Sequence, residues 1–179
     1  VHPITLTTGY SIIVRTLNDA GKAVDEHYYN SKMQPASCNG YYGLYRGYNS
    51  DGQNIQEVYL DRNGQIVYCA SGYAIKMYDR DSSDLVAAEY YYDRQKKPTT
   101  STLGQYGEKY QRNENGQITQ IIYLGVDGNP APTQAGYTML RRSYYRDGTA
   151  KTDMYFDRKG NSIALSKGQY GIRRSGKIN

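Results

Sequence analysis

Six glycines, Gly9, Gly40, Gly72, Gly104, Gly136 and Gly168, recur at intervals of 31, 32, 32, 32 and 32 residues. Aligned on them, the chain reads as one unit written five times and begun a sixth. Residues 1–8 form a leading segment that ends a preceding unit. Repeats follow at 9–39, 40–71, 72–103, 104–135 and 136–167, and a sixth starts at 168–179. A chain this periodic is expected to stack similar modules, each burying its apolar face on its neighbours, rather than to close around one irregular core. It opens and stops in mid-pattern, as an excised piece of a longer protein would.

Each unit divides into extended pieces separated by turn residues. The first piece follows the glycine, as in Tyr10-Ser-Ile-Ile-Val-Arg15 or Tyr137-Thr-Met-Leu-Arg-Arg142. A turn comes next, written Asn18-Asp-Ala-Gly21, Asn49-Ser-Asp-Gly52, Asn113-Glu-Asn-Gly116 and Tyr145-Arg-Asp-Gly148, with Asp84 in the glycine's place in the third unit. Gly, Asn and Asp tolerate the positive φ that tight hairpins require. The second piece ends in a column of five tyrosines, Tyr28, Tyr59, Tyr91, Tyr123 and Tyr155, followed by Tyr29, Leu60, Tyr92, Leu124 and Phe156. A looser segment carrying Pro35, Pro98 and Pro130 closes the unit, and proline there argues for an edge strand or coil. The expected fold is all-β: an elongated, solenoid-like stack of about five and a half antiparallel β-hairpin repeats. Odd units open Gly-Tyr-small-apolar and even units Gly-x-Tyr-Gly (Tyr42-Gly43, Tyr106-Gly107, Tyr170-Gly171), which points to 64-residue pairs as superunits.

Alternation along the second piece assigns its faces. His27, Val58, Tyr90, Ile122 and Met154 share a side with the Leu/Tyr/Phe column, and this apolar side is expected to face the core. The five-tyrosine column lies on the other side with Glu26, Glu57, Glu89, Ile121 and Asp153, which reads as a solvent-facing ladder. The chain holds 22 tyrosines against one phenylalanine and no tryptophan. Structurally, aromatic ladders stabilise sheets. Functionally, exposed rings stack on sugars or cage quaternary ammonium groups.

No catalytic constellation is found. His2 and His27 are the two histidines; the first lies at the chain's start and the second in the expected core column. There is no nucleophile elbow, P-loop or His-Glu-x-x-His. Glu26, Glu57 and Glu89 form a row rather than the asymmetric pair that glycoside chemistry needs. The Asp-x-x-Gly turns offer too few carboxylates for a calcium loop, and hairpin geometry accounts for them, so neither a metal nor a cofactor is expected. Cys38 and Cys69 sit at equivalent places in adjacent units. In a parallel solenoid they could bond; in separate hairpins they stand two strand spacings apart, and the hairpin reading leaves them unpaired. The net charge of +5 is spread along the chain. It favours anionic partners mildly, and the motifs that would single out nucleic acid are absent. No run is long and apolar enough to insert in a membrane.

At Val58-Tyr-Leu-Asp-Arg-Asn-Gly64, Tyr90-Tyr-Tyr-Asp-Arg94 and Met154-Tyr-Phe-Asp-Arg-Lys-Gly160 the chain resembles bacterial cell-wall-binding repeats. These are the tyrosine-rich hairpin modules of choline-binding proteins, glucan-binding domains and clostridial toxin tails. YD-type and MORN-type repeats share the same flavour. The resemblance implies a non-catalytic module of a bacterial surface or secreted protein, extracellular and of Gram-positive type, that binds a cell-wall polymer or other glycan. Two departures stand out: that family repeats about every twenty residues, and its ligand cage uses tryptophan, which argues against choline in particular. On this reading the ligand-binding residues are the strand tyrosines Tyr28, Tyr59, Tyr91, Tyr123 and Tyr155. The opening tyrosines Tyr10, Tyr73 and Tyr137 join them, and Arg15, Arg46 and Arg142 would hold anionic groups of the polymer. Other surface proteins are a further partner class. The alternative is a structural spacer or protein-interaction array with no small ligand, its tyrosines buried between units; an enzyme acting on wall glycans ranks last.

Overall fold

The computed structural model describes residues 9–175, so His2 and the leading segment 1–8 lie outside the described residues. The described chain has strands and turns and no helix. It divides into two compact bodies, residues up to 79 with 91–99, and 80–90 with residues from 100 onward. The first holds β1 (Ile12–Leu17), β2 (Ala23–Tyr29), β3 (Gly43–Tyr48), β4 (Asn54–Leu60) and most of β5 (Ile75–Arg80). The second holds most of β6 (Val86–Tyr92), then β7 (Gly107–Arg112), β8 (Ile118–Leu124), β9 (Met139–Tyr144), β10 (Ala150–Phe156) and β11 (Gly171–Arg173). Within each body, strands that follow one another in the chain pair antiparallel. The expected antiparallel hairpin architecture is what forms.

Local chemistry explains the hairpins. In the first tip the Asn18 side-chain oxygen accepts hydrogen bonds from the amides of Ala20 (3.1 Å) and Lys22 (2.9 Å), and Gly21 takes φ +73°. Asp81 repeats the pattern with Ser83 and Leu85, and Asp84 adopts φ +61°, the left-handed conformation expected of it. The leading Asn or Asp therefore works as an acceptor for the turn, while the fourth residue supplies the positive φ. Pro35, Pro98 and Pro130 form isolated bridges to Tyr29, Tyr92 and Leu124, outside the named strands. A missing N–H is tolerated there.

The odd–even rhythm has a steric cause. Large residues of the even-numbered strands meet glycine across the ladder: His27 opposite Gly43, Tyr90 opposite Gly107, Met154 opposite Gly171. Smaller branched residues meet side chains instead: Val58 opposite Ile75 and Ile122 opposite Met139. A Cβ on Gly43 would stand 2.8 Å from His27 Nδ1 and 2.9 Å from the Glu26 carbonyl, so only glycine fits.

The assignment of faces is the reverse of that expected. The five-tyrosine column is 3–8% exposed, and Glu26 and Asp153 on the same face are 3% and 2% exposed. His27, Val58, Tyr90, Ile122 and Met154, expected in the core, are only half-buried, although Ile75 and Leu124 on their face are fully buried. Two effects reverse the order. The connecting segments return over the tyrosines: Val67 and Cys69 pack into the cluster of Leu44, Tyr59, Tyr73 and Tyr91, and Ile163 and Leu165 into that of Tyr123, Leu140 and Tyr155. The acids on that face are neutralised by arginines from neighbouring strands, which removes the cost of burying them unpaired.

Candidate functional site

The strand tyrosines form a continuous internal stack in the first body. Tyr10, Tyr28, Tyr41, Tyr59, Tyr73 and Tyr91 follow one another with ring centroids 4.8, 5.8, 4.7, 5.8 and 4.2 Å apart, the last pair parallel within 6°. In the second body Tyr123, Tyr137 and Tyr155 stand 5.3 and 4.8 Å apart. These are the offset and edge geometries in which aromatic rings attract. Burial pushes the phenols of Tyr28, Tyr59 and Tyr123 up from their usual range, so they stay neutral hydrogen-bond donors. Tyr73 is buried, and Tyr10 and Tyr137 are half-buried. The ladder's cation affinity is turned inward as well: Lys76 Nζ lies 5.6, 5.8 and 5.7 Å from the rings of Tyr73, Tyr78 and Tyr91. The expectation of a solvent-facing tyrosine ladder is thereby corrected.

The arginines are engaged in the same way. Arg15 pairs with Glu26, and Arg46 pairs with Glu26 at 2.8 Å and reaches Glu57 at 3.6 Å. Arg142 holds Asp153 through Nε at 2.6 Å and Nη2 at 3.0 Å, and Arg174 adds a third contact at 2.8 Å. Each buried carboxylate thus sits between two guanidinium groups, those of Arg15 and Arg46 from β1 and β3 on Glu26, and those of Arg142 in β9 and Arg174 just past β11 on Asp153. Burial opposes ionisation of Glu26 and Asp153, but the hydrogen bonds of their arginines outweigh it and hold both carboxyls below their usual range. Where the third and fourth units have tyrosine in the arginine column, its hydroxyl serves instead: Tyr78 donates to Glu57 (2.9 Å) and Tyr110 to Glu108 (3.0 Å). Arg15, Arg46 and Arg142 are structural partners of this acid row.

His27 is half-buried rather than in a core, and its Nε2 lies 2.9 Å from Asp25 Oδ2. Cys38 and Cys69 are free and buried. Among the described residues no group of three or more His, Cys, Asp or Glu converges as a metal site would. The turn acids bond instead to their own loops, as Asp157 does to the amides of Lys159 and Asn161 at 2.8 Å.

Hairpin tips are tied to their neighbours by side chains that reach main-chain carbonyls. Tyr48 Oη donates to Ala23 O (2.8 Å), Arg112 Nη2 to Val86 O (2.8 Å) and Tyr144 Oη to Ile118 O (2.6 Å). In the second body, the tips at 113–116 and 145–148 flank an open polar cleft of about 660 Å³. Its lining includes Asn115, Gln117, Thr119, Ser143, Tyr145 and Arg146. None of these was a candidate from sequence. The one signal was the fifth tip, where Tyr145-Arg-Asp-Gly148 replaces the Asn-x-x-Gly form.

No protein-family model matches the chain, and no curated protein matches it. The functional reading therefore rests on the geometry of the molecule itself.

Proposed function

We propose that this chain is a non-catalytic, repeat-like β-hairpin array that serves as a structural spacer or protein-interaction segment. The observation that carries the reading is the burial of the five-tyrosine column together with the pairing of its arginines to buried acids. Rings that stack on one another at 4.2–5.8 Å and lie under the connecting segments have little face left for a sugar. Guanidinium groups already bonded to carboxylates have little left for a polymer's phosphates. Recognition of a wall polymer by the ladder, and the cell-surface location that goes with it, would need these groups to be free.

Retention of the chain on purified Gram-positive wall fragments and on insoluble glucan tests the reading, with Tyr59→Ala and Tyr155→Phe measured in parallel. The expected result is that neither change alters retention, while Tyr59→Ala lowers the melting temperature. Wall retention that disappears in Tyr155→Phe, with melting unchanged, would reverse the assignment in favour of a ladder that binds ligand.

A further inference from the structure

We infer that the cleft between the tips at 113–116 and 145–148 is a binding site for an anionic, polyhydroxylated chain, one that carries carboxylate or phosphate groups among hydroxyls. Its volume of about 660 Å³ falls within the range of about 300–1,000 Å³ usual for ligand pockets. Its lining is not that of an apolar drug pocket. Amides, hydroxyls and guanidinium groups dominate it, and no large aliphatic side chain contributes.

The floor is fixed. Gln117 Nε2 donates to the Gly148 carbonyl (3.0 Å), Asn113 Nδ2 donates to Gln117 Oε1 (3.0 Å), and Tyr144 Oη holds Ile118 O. With those groups committed, the rim supplies what remains. Arg146 is exposed and makes no ion pair among the described residues, in contrast to Arg142 beside it, which is bonded to Asp153. Its planar fork suits a carboxylate or phosphate, which it can meet with two parallel hydrogen bonds. Asp147 spends Oδ1 on the Thr149 amide (2.9 Å) and hydroxyl (2.7 Å), which leaves Oδ2 to accept from a ligand hydroxyl. The Asn115 side chain adds both a donor and an acceptor.

In the first body Lys22, which stands where Gln117 does in the fourth repeat, makes the matching contact with the Gly52 carbonyl and lies 5.7 Å from the Tyr48 ring. At the preceding pair of tips in the second body, Leu85 Cδ1 comes within 3.6 Å of the place a Cβ would take on Gly116. The residue at that place is thus a cation at one pair of tips and aliphatic at another. Gln117 makes its tie across the tips as a neutral amide, with Arg146 as the unpaired cation of the lining. An anion entering the cleft also meets a chain of net charge +5.

Calorimetric titration of the full chain with an oligogalacturonate, a glycerol phosphate oligomer and neutral maltoheptaose tests the assignment. At least one anionic probe should bind, more weakly as salt is raised, and maltoheptaose should not. Binding by the uronate alone identifies the carboxylate as the recognised group, by the phosphate oligomer alone the phosphate; both together identify their shared anionic chemistry. Arg146→Ala should weaken binding about tenfold or more. Arg146→Glu, which reverses the charge at the rim, should abolish binding, with the melting curve of each variant unchanged. Absence of binding by both anionic probes, equal binding of maltoheptaose, or affinity indifferent to both substitutions would each overturn the proposal. Tyr59 and Tyr155, which test the ladder, do not line the cleft, so the two proposals fail separately.

Discussion

Tyrosine suits the ladder because its ring is large and apolar while its hydroxyl still finds a partner at the edge. At Tyr59 the ring counts for far more than the hydroxyl. It lies between Tyr41 at 4.7 Å and Tyr73 at 5.8 Å, whereas Oη stands 3.4 Å from Glu57 Oε2, a long hydrogen bond. Tyr59→Ala should therefore cost about 3–5 kcal/mol, as removal of a buried aromatic ring does. Tyr59→Phe should cost about 1 kcal/mol or less. Urea denaturation of the two variants separates ring from hydroxyl, and equal losses would contradict this account.

At the scale of the strand pair, size complementarity decides which repeats alternate. A glycine opposite His27, Tyr90 or Met154 lets the next strand approach closely, and a branched side chain opposite Val58 or Ile122 fills the same position when the partner is smaller. Gly107→Ala places a methyl group against the Glu89 carbonyl and within 3.2 Å of the Tyr90 ring. Overpacking of this kind should destabilise by about 1–3 kcal/mol. Adding Tyr90→Val to Gly107→Ala should recover part of the loss, because the ring clash goes while the backbone contact stays. Thermal melts of the single and double variants read the coupling directly, and strict additivity would mean that the pair does not interact. The turns, by contrast, are self-contained. Each is specified within about five residues by an acceptor side chain and a left-handed residue, so their place is readable from the sequence alone.

Over the whole molecule, the two buried acids set how stability depends on pH. The carboxyls of Glu26 and Asp153 are held below their usual range by their arginines when folded and return to it when unfolded. A depressed carboxyl contributes stability that is complete above the unfolded value, about 4, and is lost as pH falls through the folded value. The melting temperature should therefore hold steady from neutrality down to about that pH and fall steeply below it. Arg142→Met should lower stability near neutrality and flatten the acid limb, since Asp153 would then titrate closer to its ordinary value. The phenols of Tyr28, Tyr59 and Tyr123 act in the opposite sense. They are raised by burial, so their contribution is complete below about 10 and is lost as pH climbs beyond it. Melting curves and tyrosinate absorbance across pH check both limbs.

The repeat of Gly9, Gly40, Gly72, Gly104, Gly136 and Gly168, the turns and the period-two strands were all legible because each depends on residues close in the chain. All six glycines take positive φ, between +78° and +95°, a demand that glycine alone meets without strain. The sequence by itself therefore determined the all-β hairpin architecture, whereas the placement of Cys38 and Cys69 as free, buried thiols came from the fold. Which face is inside was decided by tertiary structure. A column of Glu and Asp beside tyrosine looks wet in one strand, and becomes dry only when Arg15, Arg46, Arg142 and Arg174 arrive from adjacent strands and the connecting segments fold over it. The open cleft likewise depends on side chains from two tips, since Gln117 beside one reaches the Gly148 carbonyl of the next. Burial of charge and the filling of gaps are set by neighbours in space, and those neighbours come from different repeats.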